Sequence, residues 1–185
     1  MGTSGKWSVF PGRKAGDTMR ILGIDPGYAI VGCGIIEYDG RNFRTIEYGA
    51  ITTPAGMEFS DRLSVIYDQL MELIHVYKPQ AMAVEKLYFN SNQKTAIDVA
   101  QARGVIILAA RQAKIPCYEY TPLQVKQAVV GYGRAVKKQV IEMTKKILCL
   151  QKTPKPDDVA DALAIAICHA HTAPSRINKE LLEMR

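Results

Sequence analysis

Residues 20–38 read RILGIDPGYAIVGCGIIEY, and this stretch decides the fold class of the chain. Its first part, Arg20–Asp25, has the composition of a β-strand and stops at a Pro-Gly pair, which favours a turn. In Tyr28–Tyr38 both alternating sets of positions are apolar, as is typical of a strand buried on both faces. Asp39-Gly40 favours a hairpin, with Phe43–Thr52 as the returning strand. The sequence therefore predicts three consecutive antiparallel strands.

Helices and short strands alternate after this hairpin, as judged from apolar periodicity, caps and breakers. The predicted elements are a helix from Asp61 to Tyr77 capped by Ser60, a strand at Ala81–Glu85, a helix at Gln93–Lys114, a strand at Ile115–Tyr120, a short helix from Thr121-Pro122 to Val130, a basic amphipathic helix at Ala135–Leu150 and a last helix at Asp157–His171. The order predicts an α/β protein with a five-stranded mixed β-sheet flanked by α-helices.

The chain has 185 residues with a mean hydropathy of −0.06, which suits one globular domain and excludes disordered, collagen-like and disulfide-scaffold classes. Residues 1–18 lack periodicity and are interpreted as a leader or tag, residues 19–173 as the domain, and residues 174–185 as a flexible tail. The four cysteines form no CxxC pair, and no apolar run is long enough to span a membrane. We expect a cytoplasmic protein without a membrane partner.

The net charge of +6 is distributed unevenly along the chain. Residues 1–18 carry +2, residues 19–85 carry −4, residues 86–155 carry +10 and residues 156–185 carry −2. A basic segment of this size favours a polyanionic partner such as DNA, although charge alone says nothing of chemistry.

Acidic side chains lie at the ends of two apolar strands and on one helix face. Asp25 ends the first strand, and Glu85 ends the strand that begins at Ala81. If these strands are neighbours, both carboxylates emerge at one edge of the sheet. Asp158 and Asp161 are three residues apart and share a face of the last helix. Each acid singly fits a solvated strand end or a helix cap equally well, but together they favour a cluster.

Such a cluster needs cations, because ionised carboxylates about 4 Å apart repel by roughly 4 kcal/mol per pair at an effective dielectric constant of about 20. Oxygen ligands without cysteine or histidine favour Mg²⁺, with Mn²⁺ as a substitute, over zinc. Two such ions about 4 Å apart can activate water and stabilise the departing oxygen at phosphorus. The expected cofactor is therefore Mg²⁺, with two ions per site, for phosphodiester hydrolysis.

Several short motifs occur in a fixed order along the chain. They are Gly23-Ile24-Asp25-Pro26-Gly27, Val84-Glu85 with the aromatic-Asn loop that follows, Gln101-Ala102-Arg103-Gly104, Tyr120-Thr121-Pro122 with Gln124-Val125-Lys126-Gln127, Val129-Val130-Gly131-Tyr132-Gly133, and Asp158-Val159-Ala160-Asp161-Ala162-Leu163. As a set, from about Met19 to Thr172, they resemble the RuvC family of Holliday-junction resolvases, within the RNase H-like superfamily.

The resemblance implies a homodimeric endonuclease that resolves four-way DNA junctions by paired symmetric nicks and cooperates with the RuvA and RuvB branch-migration proteins. It also implies residue roles: the metal site is Asp25, Glu85, Asp158 and Asp161, a ring of Tyr88 or Phe89 stacks on an unpaired base, and Lys126 and Lys137 contact DNA. Because Tyr stands at 88 where phenylalanine is common, either ring is a candidate for stacking.

Two other function classes remain as alternatives. The Gly23–Gly27 motif resembles the first phosphate loop of actin-like and sugar-kinase-like ATPases, although those enzymes need two domains and further phosphate motifs. A non-catalytic junction-binding module would account for the basic segment, but it does not require four acids at strand ends and on one helix face.

Overall fold

The computed structural model describes residues 18–87 and 93–183, with side chains described over residues 18–87 and 95–173. The strands are β1 (Met19–Asp25), β2 (Ile30–Tyr38), β3 (Phe43–Thr52), β4 (Ala81–Glu85) and β5 (Cys117–Tyr120). They form one sheet in the order β3-β2-β1-β4-β5, with the first three antiparallel and with β4 and β5 parallel to β1. The predicted α/β class with a five-stranded mixed sheet is confirmed.

Helices cover both faces of this sheet. They are α1 (Phe59–Tyr77), α2 (Gln93–Gln112), α3 (Pro122–Val130), α4 (Lys137–Ile147) and α5 (Asp157–Glu183). Ile21 of β1 is fully buried in a core with α3, α4 and α5, whereas its neighbour Leu22 is fully buried in a second core with α1 and α2. Successive side chains of a strand point to opposite faces, so a strand that is apolar at every position belongs between two helical layers.

The first helix begins two residues before the predicted start. Its N-cap is Glu58, not Ser60, and Glu58 makes no side-chain capping hydrogen bond. The guanidinium group of Arg62 donates to the carbonyl oxygens of Thr53, Pro54 and Met57. These bonds to the preceding loop hold the entering chain against the first turn, and the helix starts without a side-chain cap. Sequence-local capping rules do not include such bonds.

The last helix, with a predicted end near His171, continues to Glu183. The polar composition after Pro174 favours a tail, but residues such as Leu181 and Glu183 are good helix formers and no glycine interrupts the segment. The domain boundaries at residues 18 and 174 stay predictions.

The other boundaries either agree with the predictions or differ by at most three residues, and the larger differences have local reasons. Lys114, with a φ of 58°, turns the chain after α2, and Cys149, with a φ of 52°, does so after α4. Val136 precedes α4, and its backbone N–H donates to the Gln139 side chain at 3.0 Å. The cap predicted at Thr121 is confirmed, since its hydroxyl accepts from the Gln124 backbone N–H. Within the described residues, no helix has the length and apolar character needed to cross a bilayer.

Candidate active site

The ends of two parallel strands place two carboxylates side by side. β1 and β4 are neighbours, and Ile24 pairs with Val84 in their register. Asp25 and Glu85 therefore follow at equivalent positions, each as the last residue of its strand. Both residues are half-buried. The strand-end prediction for these two acids is confirmed in its geometry.

Glycines on the sheet allow α5 to approach this edge. A Cβ atom on Gly23 would lie 2.1 Å from the Ala162 carbonyl oxygen, and one on Gly32 would lie 2.0 Å from the Asp158 carbonyl oxygen. Gly32 pairs with Asp25 across β1 and β2. Since no side chain could occupy that space, the glycines permit the backbone of α5 to lie directly on the strands beside Asp25.

This close approach brings the two helix acids to the strand acids. Burial is the main cause that raises the pKa of Asp25 to about 8, and the charges of Glu85, Asp161 and Asp158 raise it further. The charges of all three act on Asp25, so the four predicted acids lie near one another at this edge of the sheet. Nearby carboxylates destabilise one another's ionised forms, so the cluster attracts protons or cations.

Lys137, the first residue of α4, supplies positive charge within the cluster. Its Nζ lies 2.9 Å from Oδ2 of Asp161 and 3.9 Å from Oδ2 of Asp157. The hydrogen bond to Asp161 raises the pKa of Lys137. Burial still raises the pKa of Asp161 despite this ammonium group, and it likewise raises the pKa of Glu85. One lysine therefore does not neutralise the cluster.

A shallow cleft of about 160 Å³ adjoins the acids. Glu85, Asp161, Lys126 and Lys137 line it together with apolar side chains of α3, α4 and α5. The structure thus places both predicted DNA-contacting lysines at the same cleft as two of the acids. Tyr88 and Phe89 lie outside the described residues.

The donor set fits a hard divalent cation in its chemistry and its charge. All four acids offer carboxylate oxygens, which Mg²⁺ and Mn²⁺ prefer. Burial and neighbouring negative charge raise the pKa of Asp25, and a bound cation would offset both effects. As the side chains stand, no group of three or more His, Cys, Asp or Glu among the described residues encloses a metal position. Lys137 donates to Asp161 in this arrangement, so ion binding at Oδ2 of Asp161 requires the ammonium group or the carboxylate to move.

Two features of the site were not assigned by sequence reasoning. The glycines at 23 and 32 were visible as small residues in apolar strands, but only packing shows that α5 lies against them. Arg103 belongs to the motif Gln101-Ala102-Arg103-Gly104, for which the sequence suggested no role. Its Nε donates to the Glu85 carbonyl oxygen at 3.2 Å. Asp157 is the first residue of α5, and its carboxylate pairs with Lys155 at 3.0 Å.

A mixed five-stranded sheet with acids at the ends of β1 and β4 and on α5 defines a nuclease of the RNase H-like class. The sequence profile described as "Crossover junction endodeoxyribonuclease RuvC" matches residues 21–169. The chain belongs to the RuvC family of crossover junction endodeoxyribonucleases, which are hydrolases that act on DNA. Nucleases of this family are metal-dependent.

Individual relatives cover nearly the whole domain. The Halothermothrix orenii crossover junction endodeoxyribonuclease RuvC is 58% identical over 162 residues, which are 88% of this chain and 97% of the relative. The corresponding protein of Alkaliphilus metalliredigens is 60% identical over 154 residues, or 83% of this chain and 94% of that one. Thermus thermophilus RuvC in complex with a Holliday junction substrate has a TM-score of 0.80 at 37% identity, covering 84% of this chain and 94% of that chain.

Proposed function

We propose that this protein resolves four-way DNA junctions by hydrolysing one phosphodiester in each of two opposing strands. The observation that carries the proposal is the convergence of four carboxylates beside a cleft lined by two lysines. Acids that repel one another suit a cation, and lysines beside them suit the phosphate backbone of the substrate. One site can thus hold both the ion and the phosphodiester.

Asp25, Glu85, Asp158 and Asp161 are proposed to hold Mg²⁺, with Mn²⁺ as a substitute and two ions per site. Divalent cations supply a centre that activates water and stabilises the negative charge developing at phosphorus. The chain itself supplies the charge that retains them, and burial of Asp25 keeps this charge away from bulk water. Because carboxylates bind metal in their ionised form, a proton held by Asp25 is released on binding.

Lys137 and Lys126 are proposed to position the substrate strand. The Lys137 ammonium group donates to Asp161, so it lies where a phosphate oxygen would approach the acids. Lys126 lines the same cleft from α3. The segment from residue 86 to residue 155, with its charge of +10, extends this attraction to the arms of the junction.

Tyr88 or Phe89 is proposed to stack on an unpaired base at the crossover. Both residues closely follow Glu85 in sequence, which connects them to the acidic edge of the sheet. Stacking of a base on an aromatic ring contributes about 1–3 kcal/mol and tolerates any base. Such a contact would favour open junctions over continuous duplex.

The proposed working unit is a homodimer, because residues 18–87 and 93–183 supply a single acidic cluster and paired nicks need two. α2 offers a surface for a second copy: Ile97 and Leu108 are 65% and 49% exposed, and a Cβ atom on Gly104 between them would meet open space. These residues recur at helical spacing on one face. We also propose that the protein cooperates with RuvA and RuvB and acts in the cytoplasm.

The test is incubation of the protein with end-labelled four-way junction, fork and duplex DNA, with and without Mg²⁺. We expect symmetric nicks confined to the junction and dependent on the metal ion. Asp25→Asn and Glu85→Gln should retain junction binding and lose cleavage, because each keeps the shape of the site and removes a ligand charge. Cleavage by either variant at the wild-type rate would overturn the site assignment.

The same assay separates the alternatives. Junction binding without cleavage by the wild type would indicate a non-catalytic binding module, and metal-dependent ATP hydrolysis without nicking would indicate the actin-like ATPase. No feature of the residues that the structure describes favours either alternative over the nuclease.

A further inference from the structure

Arg103 connects three elements around the end of the strand that carries Glu85. It lies on α2, and its side chain is 15% exposed. Its Nε donates to the backbone carbonyl oxygen of Glu85 at 3.2 Å, and its Nη2 donates to Oε1 of Glu119 on β5. A single guanidinium group therefore links α2, the last residue of β4 and the adjacent strand.

The backbone around Glu85 has hydrogen bonds on both sides. The N–H of Lys86, the next residue, donates to the Tyr120 carbonyl oxygen of β5 at 2.8 Å. The Glu85 carbonyl oxygen lies at the point where β4 ends, and Arg103 provides its partner from outside the sheet. Together the two bonds fix the peptide that joins Glu85 to Lys86.

We propose that Arg103 is a positioning residue for the carboxylate of Glu85. The inference rests on the proposed nuclease function, in which Glu85 is a metal ligand. A carboxylate at a strand end follows the orientation of its own peptide plane, so a fixed peptide restricts where its oxygens can lie. Arg103 acts on that peptide through the Glu85 carbonyl oxygen, and its other bond goes to the Glu119 carboxylate.

Arginine suits this position better than lysine because its guanidinium group is planar. A guanidinium group presents several N–H donors in a rigid fork, so one side chain can bond the Glu85 carbonyl and the Glu119 carboxylate at once. An ammonium group on a flexible chain holds the two acceptors less rigidly. The identity of the residue is therefore predicted to matter beyond its charge.

The test compares Arg103→Gln and Arg103→Lys with the wild type in single-turnover junction cleavage at a series of Mn²⁺ concentrations. For Arg103→Gln we expect an unchanged junction affinity and a cleavage rate lower by about 10- to 100-fold, the range typical of residues that orient metal ligands. The Mn²⁺ concentration for half-maximal cleavage should rise. Arg103→Lys should recover part of the rate.

A second readout does not depend on activity. Mn²⁺ should raise the melting temperature of Arg103→Gln less than that of the wild type, because the stabilisation by a ligand of the folded state increases with its affinity. If Arg103→Gln does not fold, the same melting measurement on Arg103→Lys decides the question. A full Mn²⁺ shift in the folded variant would overturn the proposal.

Two matched controls isolate the bond to Glu85. Glu119→Gln removes the ion pair and leaves the bond from Arg103 to the Glu85 carbonyl, so it should affect cleavage less than Arg103→Gln. Arg41→Gln removes one positive charge from the exposed β2–β3 turn and should cleave normally. If Glu119→Gln and Arg103→Gln are equally impaired, the ion pair matters and the positioning role is wrong.

Failure of the inference and failure of the proposed function give different results. If the wild type cuts junctions and Arg103→Gln cuts them at the same rate and with the same Mn²⁺ dependence, only the role of Arg103 is contradicted. A wild type that does not cut contradicts the nuclease assignment, and the Mn²⁺ melting shifts then still decide whether Arg103 supports ion binding.

Discussion

Two lysines show that the function of a side chain depends on the groups it contacts. Lys137 and Lys126 resemble each other in the sequence as basic residues of the +10 segment. In the structure Lys137 donates to Asp161 at 2.9 Å. Lys126 lies on α3 and lines the cleft beside the acids. The two lysines are therefore expected to differ in their effect on chemistry.

We predict that Lys126→Gln weakens junction binding and lowers the log–log slope of affinity against salt concentration by about 0.9 for each duplex phosphate that is no longer neutralised. Lys137→Gln should lower the same slope and also slow cleavage of bound junction, because Asp161 then lacks the ammonium group that donates to it. Binding titrations at several salt concentrations and single-turnover rates measure both effects. An unchanged slope in either variant would place that lysine away from DNA.

At the scale of elements, the catalytic arrangement depends on how closely α5 lies on β1 and β2. The Gly32 position leaves no room for a side chain, since its Cβ atom would overlap the Asp158 carbonyl oxygen. Gly49 on β3 pairs with Cys33 and has open space where a Cβ atom would lie. The two glycines therefore form a matched pair for testing the approach of α5.

We predict that Gly32→Ala destabilises the fold by about 1–3 kcal/mol, the usual cost of overpacking, and abolishes cleavage because the first turn of α5 must move with Asp158. Gly49→Ala should change the free energy of unfolding by less than about 0.5 kcal/mol and leave cleavage intact. Urea unfolding and junction cleavage test this pair. Normal cleavage by Gly32→Ala would mean that α5 can shift without disturbing the acids.

The opposite end of the sheet is held by an ion-pair cluster across its first three strands. Glu37 on β2 accepts from Arg20 on β1 at 2.5 Å and from Arg44 on β3 at 2.7 Å. Burial alone would raise the pKa of Glu37, but the hydrogen bonds from both arginines outweigh it and hold the pKa below its usual value of 4.5. The ionised form of Glu37 therefore stabilises the folded state.

We predict that Glu37→Gln lowers the free energy of unfolding by about 1 kcal/mol at pH 7. A carboxyl with a lowered pKa contributes stability above its unfolded pKa and loses it as pH falls through the folded value. The difference between wild type and variant should therefore shrink below pH 4.5 and vanish in stronger acid. Glu142→Gln, at an exposed position of α4, is the control for loss of a carboxylate and should change the free energy of unfolding by less than about 0.5 kcal/mol.

At the scale of the whole molecule, the described part of the chain holds one acidic cluster, so the proposed paired nicks would depend on assembly. α2 carries a residue suited to a dimer contact and a residue beside the proposed metal site. Leu108 lies on an exposed face, and Arg103 is bonded to the peptide of Glu85. The same helix would thus contact a second copy and hold a proposed metal ligand.

We predict that Leu108→Lys converts the protein to a monomer in sedimentation experiments, because it places a charge in the apolar centre of the proposed interface. The variant should fold normally and make uncoupled single nicks at a reduced rate. Val76→Lys replaces an apolar residue of α1 that is 55% exposed and should leave the assembly unchanged. A dimeric Leu108→Lys protein would place the interface elsewhere.

Several parts of the molecule were predictable because their causes are local. The continuous apolar runs of β1 and β2, the turn at Asp39-Gly40 and the cap at Thr121 depend on neighbouring residues, and each agrees with the structure. The start of α1 was not predictable, since Arg62 holds it through bonds to residues as distant in sequence as Thr53. At this boundary, contacts of Arg62 with the preceding loop replace the side-chain cap that the sequence suggests.

The sequence by itself determined the order of strands and helices along the chain, the acids that end β1 and β4, and the spacing of Asp158 and Asp161. Only the tertiary structure decided that Lys137 lies among the acids and that Arg103 holds the peptide of Glu85. Periodicity and turn chemistry act over a few residues, whereas these contacts depend on how closely α5 and α2 pack on the sheet. That distance depends on residues far apart in sequence, as the absence of a Cβ atom at Gly32 beneath Asp158 shows.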